Sequence, residues 1–119
     1  MTIHRQAWVK VNTQVDRGIA ALIEALSIFP ELRTLESCEG TEDSAWVCFD
    51  WGEEGDKDLV KFVLEVAGPA LMAEFGDRLN LNVTVTESGA KRAEMTVSKS
   101  IIPAVSKALK QLSRSAKAA

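Results

Sequence analysis

Leu79-Asn80-Leu81-Asn82-Val83-Thr84-Val85-Thr86, then Glu87-Ser88-Gly89-Ala90, then Lys91-Arg92-Ala93-Glu94-Met95-Thr96-Val97, is the stretch that decides the fold. Apolar and polar residues alternate with a period of two in both arms, the pattern of strands buried on one face. Ser88-Gly89 supplies a tight turn, so the stretch reads as an antiparallel hairpin with Ala93, Met95 and Val97 inward. A one-sided sheet needs a second layer to cover its apolar face. The flanking sequence supplies that layer.

On the C-terminal side, Ser100 is placed to cap a helix in which Pro103 is tolerated in the first turn. Ile102, Val105, Leu109 and Leu112 form its apolar face, and Ser113 to Ala119 is expected to fray. On the N-terminal side, Leu59, Val60, Phe62, Val63 and Val66 give a helix that Asp56 is placed to cap. Gly68-Pro69 should kink or split it before Ala70–Phe75, because proline lacks a donor and clashes with the preceding turn. Further upstream, Ala45, Val47, Phe49 and Trp51 share one strand face, and Arg33 to Cys38 forms a shorter strand. The polar segment Glu39 to Ser44 between them reads as a hairpin loop. A helix from Ile19 to Phe29 carries Ile19, Leu22, Ile23 and Leu26 at helical spacing, with Asp16 at the N-cap position and Pro30 as its stop. The alternation of Ala7, Val9, Val11, Thr13 and Val15 with Trp8, Lys10, Asn12 and Gln14 predicts a first strand.

The order is β-α-β-β-α-β-β-α, an α+β two-layer sandwich of ferredoxin-like type, its first six elements matching a split β-α-β pattern. Right-handed crossovers put the helices on one sheet face. The other face is expected to be open and polar, yet to carry Trp8, Trp46 and Cys48 beside Lys10, Asn12, Gln14, Asp50, Asn80, Asn82, Thr84, Thr86, Arg92, Glu94 and Thr96.

At 119 residues, 46% hydrophobic and 26% charged, with formal net charge −3, the chain reads as one α+β domain spanning 1–119. Its abundant Leu, Ile, Val and Phe exclude low-complexity disorder. No apolar run approaches the roughly 20 residues of a membrane span, and the N-terminus has no signal-peptide pattern. Two cysteines do not make a disulfide scaffold, so a reducing, cytoplasmic setting is expected without a membrane partner. One histidine, His4, leaves little room for histidine chemistry. The near-neutral total hides a segregation. Residues 36–58 hold nine acids against Lys57 alone, net −8, and residues 88–119 hold seven bases against Glu94, net +6. Such ends attract each other within one subunit or between two.

Several motifs carry chemistry in principle. Ser37-Cys38-Glu39-Gly40 at a strand end could present a thiol, a hydroxyl and backbone donors; its plainer reading is a small buried cysteine and a hairpin glycine. The acids Glu36, Glu39, Glu42 and Asp43 would raise a thiol pKa there rather than lower it. If Cys38 faces Ala45, Cys48 lies opposite Leu35, about 10 Å along the strand, beyond the roughly 7 Å reach of a disulfide. Only a slipped register brings the two closer. Cysteine and histidine spacing does not suit zinc. Asp50 to Lys61 resembles a calcium loop only superficially, since Gly52 and Lys61 stand where ligands belong. No phosphate-binding glycine loop is present. Lys107, Lys110, Arg114 and Lys117 form a basic stripe on the last helix, read either as a solvated face or as a phosphate-tracking surface. Trp8 and Trp46 suggest a dimer interface first, a stacking platform for a ligand or RNA base second, and ordinary packing under a loop third.

The run Asp16-x-x-Ile19-x-x-Leu22-Ile23-x-x-Leu26, then Leu32-x-Thr34-x-x-Ser37-Cys38-x-Gly40, then Val47-x-Phe49, resembles two groups of proteins. One comprises small uncharacterised proteins with a Ser-Cys-x-Gly-His string. The other, more distant, is the wybutosine-synthesis tRNA methyltransferase family, with a Ser-Ser-Cys-Ser-Gly motif. Ser37, Cys38 and Gly40 match; Glu36 and Glu39 replace the methyltransferase serines, and Thr41 replaces the histidine of the first group. The resemblance implies a shared fold more than a shared activity, because the differing residues are those of the motif. The expectation is therefore a cofactor-free binding or assembly domain. It would act through the open face and the Ser37–Gly40 loop, as a homodimer or on a small ligand. S-adenosylmethionine-dependent RNA modification is the alternative that the resemblance implies.

Overall fold

The computed structural model describes residues 6–8, 14–16, 19–38, 43–52 and 55–118, and side chains at 19–38, 43–52 and 55–115. In chain order the elements are strands β1 (Gln6–Trp8) and β2 (Gln14–Asp16), helix α1 (Ala20–Leu26), and strands β3 (Arg33–Cys38) and β4 (Ser44–Asp50). A continuous helical segment follows, made of α2 (Asp56–Lys61), a π-helical stretch (Phe62–Ala67) and α3 (Gly68–Phe75). Strands β5 (Leu79–Val85) and β6 (Lys91–Ser98) and helix α4 (Ile102–Ala118) complete the chain.

Four antiparallel strands form one open sheet in the order β3-β4-β6-β5. The α+β class and the single helical layer are as the sequence reads. Ala45, Val47 and Phe49 of β4, Ala93, Met95 and Val97 of β6, and Leu79 of β5 join Leu22, Ile23, Leu26, Leu59, Val63, Leu71, Val105 and Leu109 in one core. Phe29, Phe49, Trp51 and Phe62 close one end of that core, with ring centroids 4.8 Å apart for Phe29–Phe62 and 5.0 Å for Trp51–Phe62. The β5–β6 turn is as expected: Gly89 takes φ +88°, and its N–H donates to the Thr86 carbonyl at 2.9 Å.

The N-terminal expectation is corrected. The first segment is two three-residue strands, paired antiparallel with Ala7 opposite Val15 and Trp8 opposite Gln14, in a sheet of their own. In this pair the residues that face one another have the same parity, so the period of two persists through the antiparallel reversal. The alternation therefore cannot tell one long strand from two short arms. Among the described residues the larger sheet is thus built from residue 33 onward, without the N-terminal strand of a split β-α-β sheet. Asp16 ends β2 instead of capping α1, whose N-cap position is Ile19 with no side-chain cap.

Helix ends differ for similar reasons. The turn before α4 is capped from a distance: Asp43 accepts the Lys99 N–H at its carbonyl (2.8 Å) and the Ser100 N–H at Oδ1 (3.2 Å). Ser100, the expected cap, instead accepts a hydrogen bond from Arg78 Nη2 at 2.9 Å. Gly55, not Asp56, occupies the N-cap of α2, leaving Asp56 in the first turn where a carboxylate suits the helix dipole. α4 continues to Ala118, and Ser113, the first residue of the segment expected to fray, is 4% exposed.

Gly68-Pro69 neither splits nor stops its helix. Leu59, Val63, Ala67 and Leu71 are all buried at intervals of four residues. In a 3.6-residue helix each such step drifts by about 40°, so this stripe would rotate off the sheet by about 120°. The wider π turns keep it aligned. The Gly68 N–H donates to the Val63 carbonyl five residues back, as a π turn requires, and Pro69 falls in the first turn of α3. No described helix is long and apolar enough to cross a membrane.

Candidate functional site

Register assembles the open face. Between β3 and β4 the ladder shifts at Leu35: Thr34 lies opposite Phe49, but Glu36 opposite Cys48, Ser37 opposite Val47 and Cys38 opposite Trp46. This bulge replaces the expected pairing of Cys38 with Ala45. Parity sends Ser37 to the core side and Cys38 to the open side, so the two motif residues part company within β3. Glu39 and Gly40, the rest of that motif, lie outside the described residues.

Across the open face the strands then form rows. One row runs Cys38, Trp46, Thr96, Asn80, and the next runs Glu36, Cys48, Glu94, Asn82. Beyond them stand Arg33 opposite Asp50, and Arg92 opposite Thr84. The strand motif and Trp46, singled out separately in the sequence, are thus cross-strand neighbours. Trp8 does not join them, since β1 belongs to the separate two-stranded sheet. Lys10 and Asn12 lie outside the described residues.

Two ion pairs span this face, Arg33 with Asp50 and Arg92 with Glu36, and a third, Lys91 with Asp56, lies on the helix-covered side. Arg33 Nε and Nη2 donate to Asp50 Oδ1 and Oδ2 at 2.9 and 2.8 Å, and the Gly52 N–H donates to Oδ1 at 3.1 Å. The Arg33 hydrogen bonds are the main cause that holds the Asp50 carboxyl below its ordinary value. Burial opposes them, while Gly52 and the Arg92 charge assist. Arg92 pairs with Glu36 at 3.9 Å and Lys91 with Asp56 at 3.8 Å. The acidic segment 36–58 therefore meets the basic C-terminal part within one subunit, at β6 and at the Asp43 cap.

Cys48 lies 2% exposed on this face, among Glu36, Glu94 and Arg92. Burial pushes its thiol pKa up; Arg92 partly offsets this, and Glu94 and Glu36 add to it. Cys38 is half-buried, and neither cysteine is in a disulfide. They sit diagonally across the hairpin, a relation in which Cα atoms are roughly 7–8 Å apart, long for a disulfide. Among the described residues no group of three or more His, Cys, Asp or Glu is placed to hold a metal ion.

The basic stripe lies on a different surface. Lys107, Lys110 and Arg114 are exposed along α4, and among the described residues none of them forms an ion pair. The Lys117 side chain lies outside the described residues.

The Arg33–Asp50 fork and the reach of Arg92 across three strands are not visible in the spacing. Opposite charges near the ends of the 33–50 hairpin were the available signal, legible only once the register is known. Comparison of the chain with protein-family models, curated proteins and solved structures finds no match.

Proposed function

We propose that this chain is a small binding and assembly domain that holds a partner against the open face of its four-stranded sheet. The observation that carries this reading is Trp46, half-buried on the sheet face away from the core helices, beside Cys38, Thr96 and Asn80. A rigid aromatic ringed by polar groups and internally paired charges suits a contact surface, because tryptophan contributes disproportionately when such surfaces are buried. Arg33 with Asp50 and Arg92 with Glu36 are already paired, so covering this end of the face leaves neither of those pairs as lone charges. Among the described residues of the face, burial pushes the pKa of the Cys48 thiol up, which does not suit a nucleophile. A second copy of the chain is the first candidate partner. Sedimentation across a concentration series tests this. Trp46→Ala is expected to weaken association at least about tenfold, as for a hot-spot residue, without changing the circular dichroism spectrum. A wild-type monomer at every concentration, with Trp46 emission unchanged, sinks self-association through this face.

A second reading is favoured by the exposed cations Lys107, Lys110 and Arg114, without ion pairs among the described residues, together with the family resemblance: an S-adenosylmethionine-dependent enzyme, or a relative of one, acting on RNA. It expects calorimetric binding of S-adenosylmethionine and RNA affinity that falls with salt. Replacing the three cations by glutamine should reduce that salt dependence. No heat at millimolar cofactor and no RNA retention would remove it.

A further inference from the structure

The two edges of the four-stranded sheet are built differently. The β3 edge carries a bulge at Leu35 and the charges Arg33 and Glu36, and the β1–β2 hairpin lies against it. These are ordinary means of keeping an edge strand from pairing with another chain. The β5 edge has none of them. Its seven residues hold no charge, no proline and no bulge, and they keep an unbroken register with β6 from Leu79 to Val85. Among the described residues no strand pairs with its outer side.

The same strand is complementary to itself. Laid antiparallel against a second β5 about a two-fold axis at Asn82, it pairs Leu79 with Val85, Asn80 with Thr84, Leu81 with Val83, and Asn82 with its own copy. Apolar positions then meet on the helix-covered side and polar ones on the open side, over the full length of the strand. A one-residue slip would set Leu81 against Thr84 and mismatch the faces. An isologous contact needs this property of residue i meeting j while j meets i. The core side of the edge also has apolar surface to bury: Val85 is 67% exposed, Leu81 and Val83 are half-buried, and α3, packed against β5, leaves Met72 41% exposed.

We propose that two copies of this chain join edge to edge along β5, antiparallel about Asn82, making one eight-stranded sheet from two four-stranded ones. The helices of both copies then cover one side, and the two Trp46 faces lie together on the other. The contact uses the edge rather than the open face, so it stands apart from the reading built on Trp46.

Sedimentation and small-angle scattering of wild type, Asn82→Lys, Asn82→Glu and Trp46→Ala test it. Asn82 is exposed, so its replacement leaves the core intact, and circular dichroism checks the fold of each variant. Lysine at 82 sets two like charges face to face across the axis. The expected result is association that each Asn82 variant weakens at least about tenfold, a heterodimer restored on mixing the Lys and Glu variants, and an Asn82-sensitive dimer that remains in Trp46→Ala, which loses only association through the open face. A wild-type monomer throughout the concentration range overturns the proposal. So does an Asn82→Lys protein as dimeric as wild type; if Trp46→Ala then dissociates, the contact lies on the open face instead.

Discussion

Asp50 gathers much of the electrostatics at its end of the open face, because it accepts a bidentate fork from Arg33 and the N–H of Gly52. Gly52 reaches that position at φ +82°, a conformation glycine adopts without a Cβ penalty. A carboxyl whose pKa is lower in the folded state than in the unfolded chain stabilises the fold above the unfolded value. That contribution is lost as pH falls through the folded one. Stability of the wild type is thus expected to fall below about pH 4, where an unfolded aspartate protonates. Asp50→Asn removes this share of the acid dependence and lowers stability near neutrality. Urea unfolding between pH 2 and 7 measures both, and parallel acid limbs in the two proteins would refute the assignment. The Arg33 half of the fork was not singled out in the sequence, since a cross-strand pair depends on register and not on local spacing.

Two elements owe their form to contacts that short-range patterns do not contain. In the helical segment after Gly55, the π turns keep Leu59, Val63, Ala67 and Leu71 on the sheet, and a Cβ on Gly68 would collide with the Val63 carbonyl. Gly→Ala inside an ordinary helix stabilises by about 1 kcal/mol. Here Gly68→Ala is expected to destabilise by about 1–3 kcal/mol, as overpacking does. The sign of the shift in the urea midpoint decides between them. At the start of α4, Asp43 caps a turn 57 residues away in sequence. Asp43→Ala is expected to cost about 1 kcal/mol, the usual worth of a cap, and Ser100→Ala less, since its hydroxyl receives only an exposed Arg78 contact. Thermal unfolding of the two variants ranks them, and the reverse order would return the cap to Ser100.

For the whole molecule, one continuous core joins the sheet to α1, the 56–75 helical segment and α4. Residues 19–118 are therefore expected to unfold as one cooperative unit, with near-ultraviolet signals from the Phe29–Phe49–Trp51–Phe62 cluster coinciding with loss of helix. Separate transitions by the two probes would mean that the cluster end opens on its own. The apolar faces of β4, β5 and β6, the apolar stripes of the helices and the Ser88-Gly89 turn were legible in the sequence, because each depends on neighbours two to four residues apart. Trp46 and Cys38 were legible as candidates, but not as neighbours. The tertiary structure alone decided the reversal between β1 and β2, the bulge at Leu35 that brings Cys38 opposite Trp46 and sends Ser37 to the other face, and the Asp43 cap. The physical reason is the same in each case. Periodicity states which side of an element is apolar, whereas register and long-range capping depend on which distant segment arrives beside it.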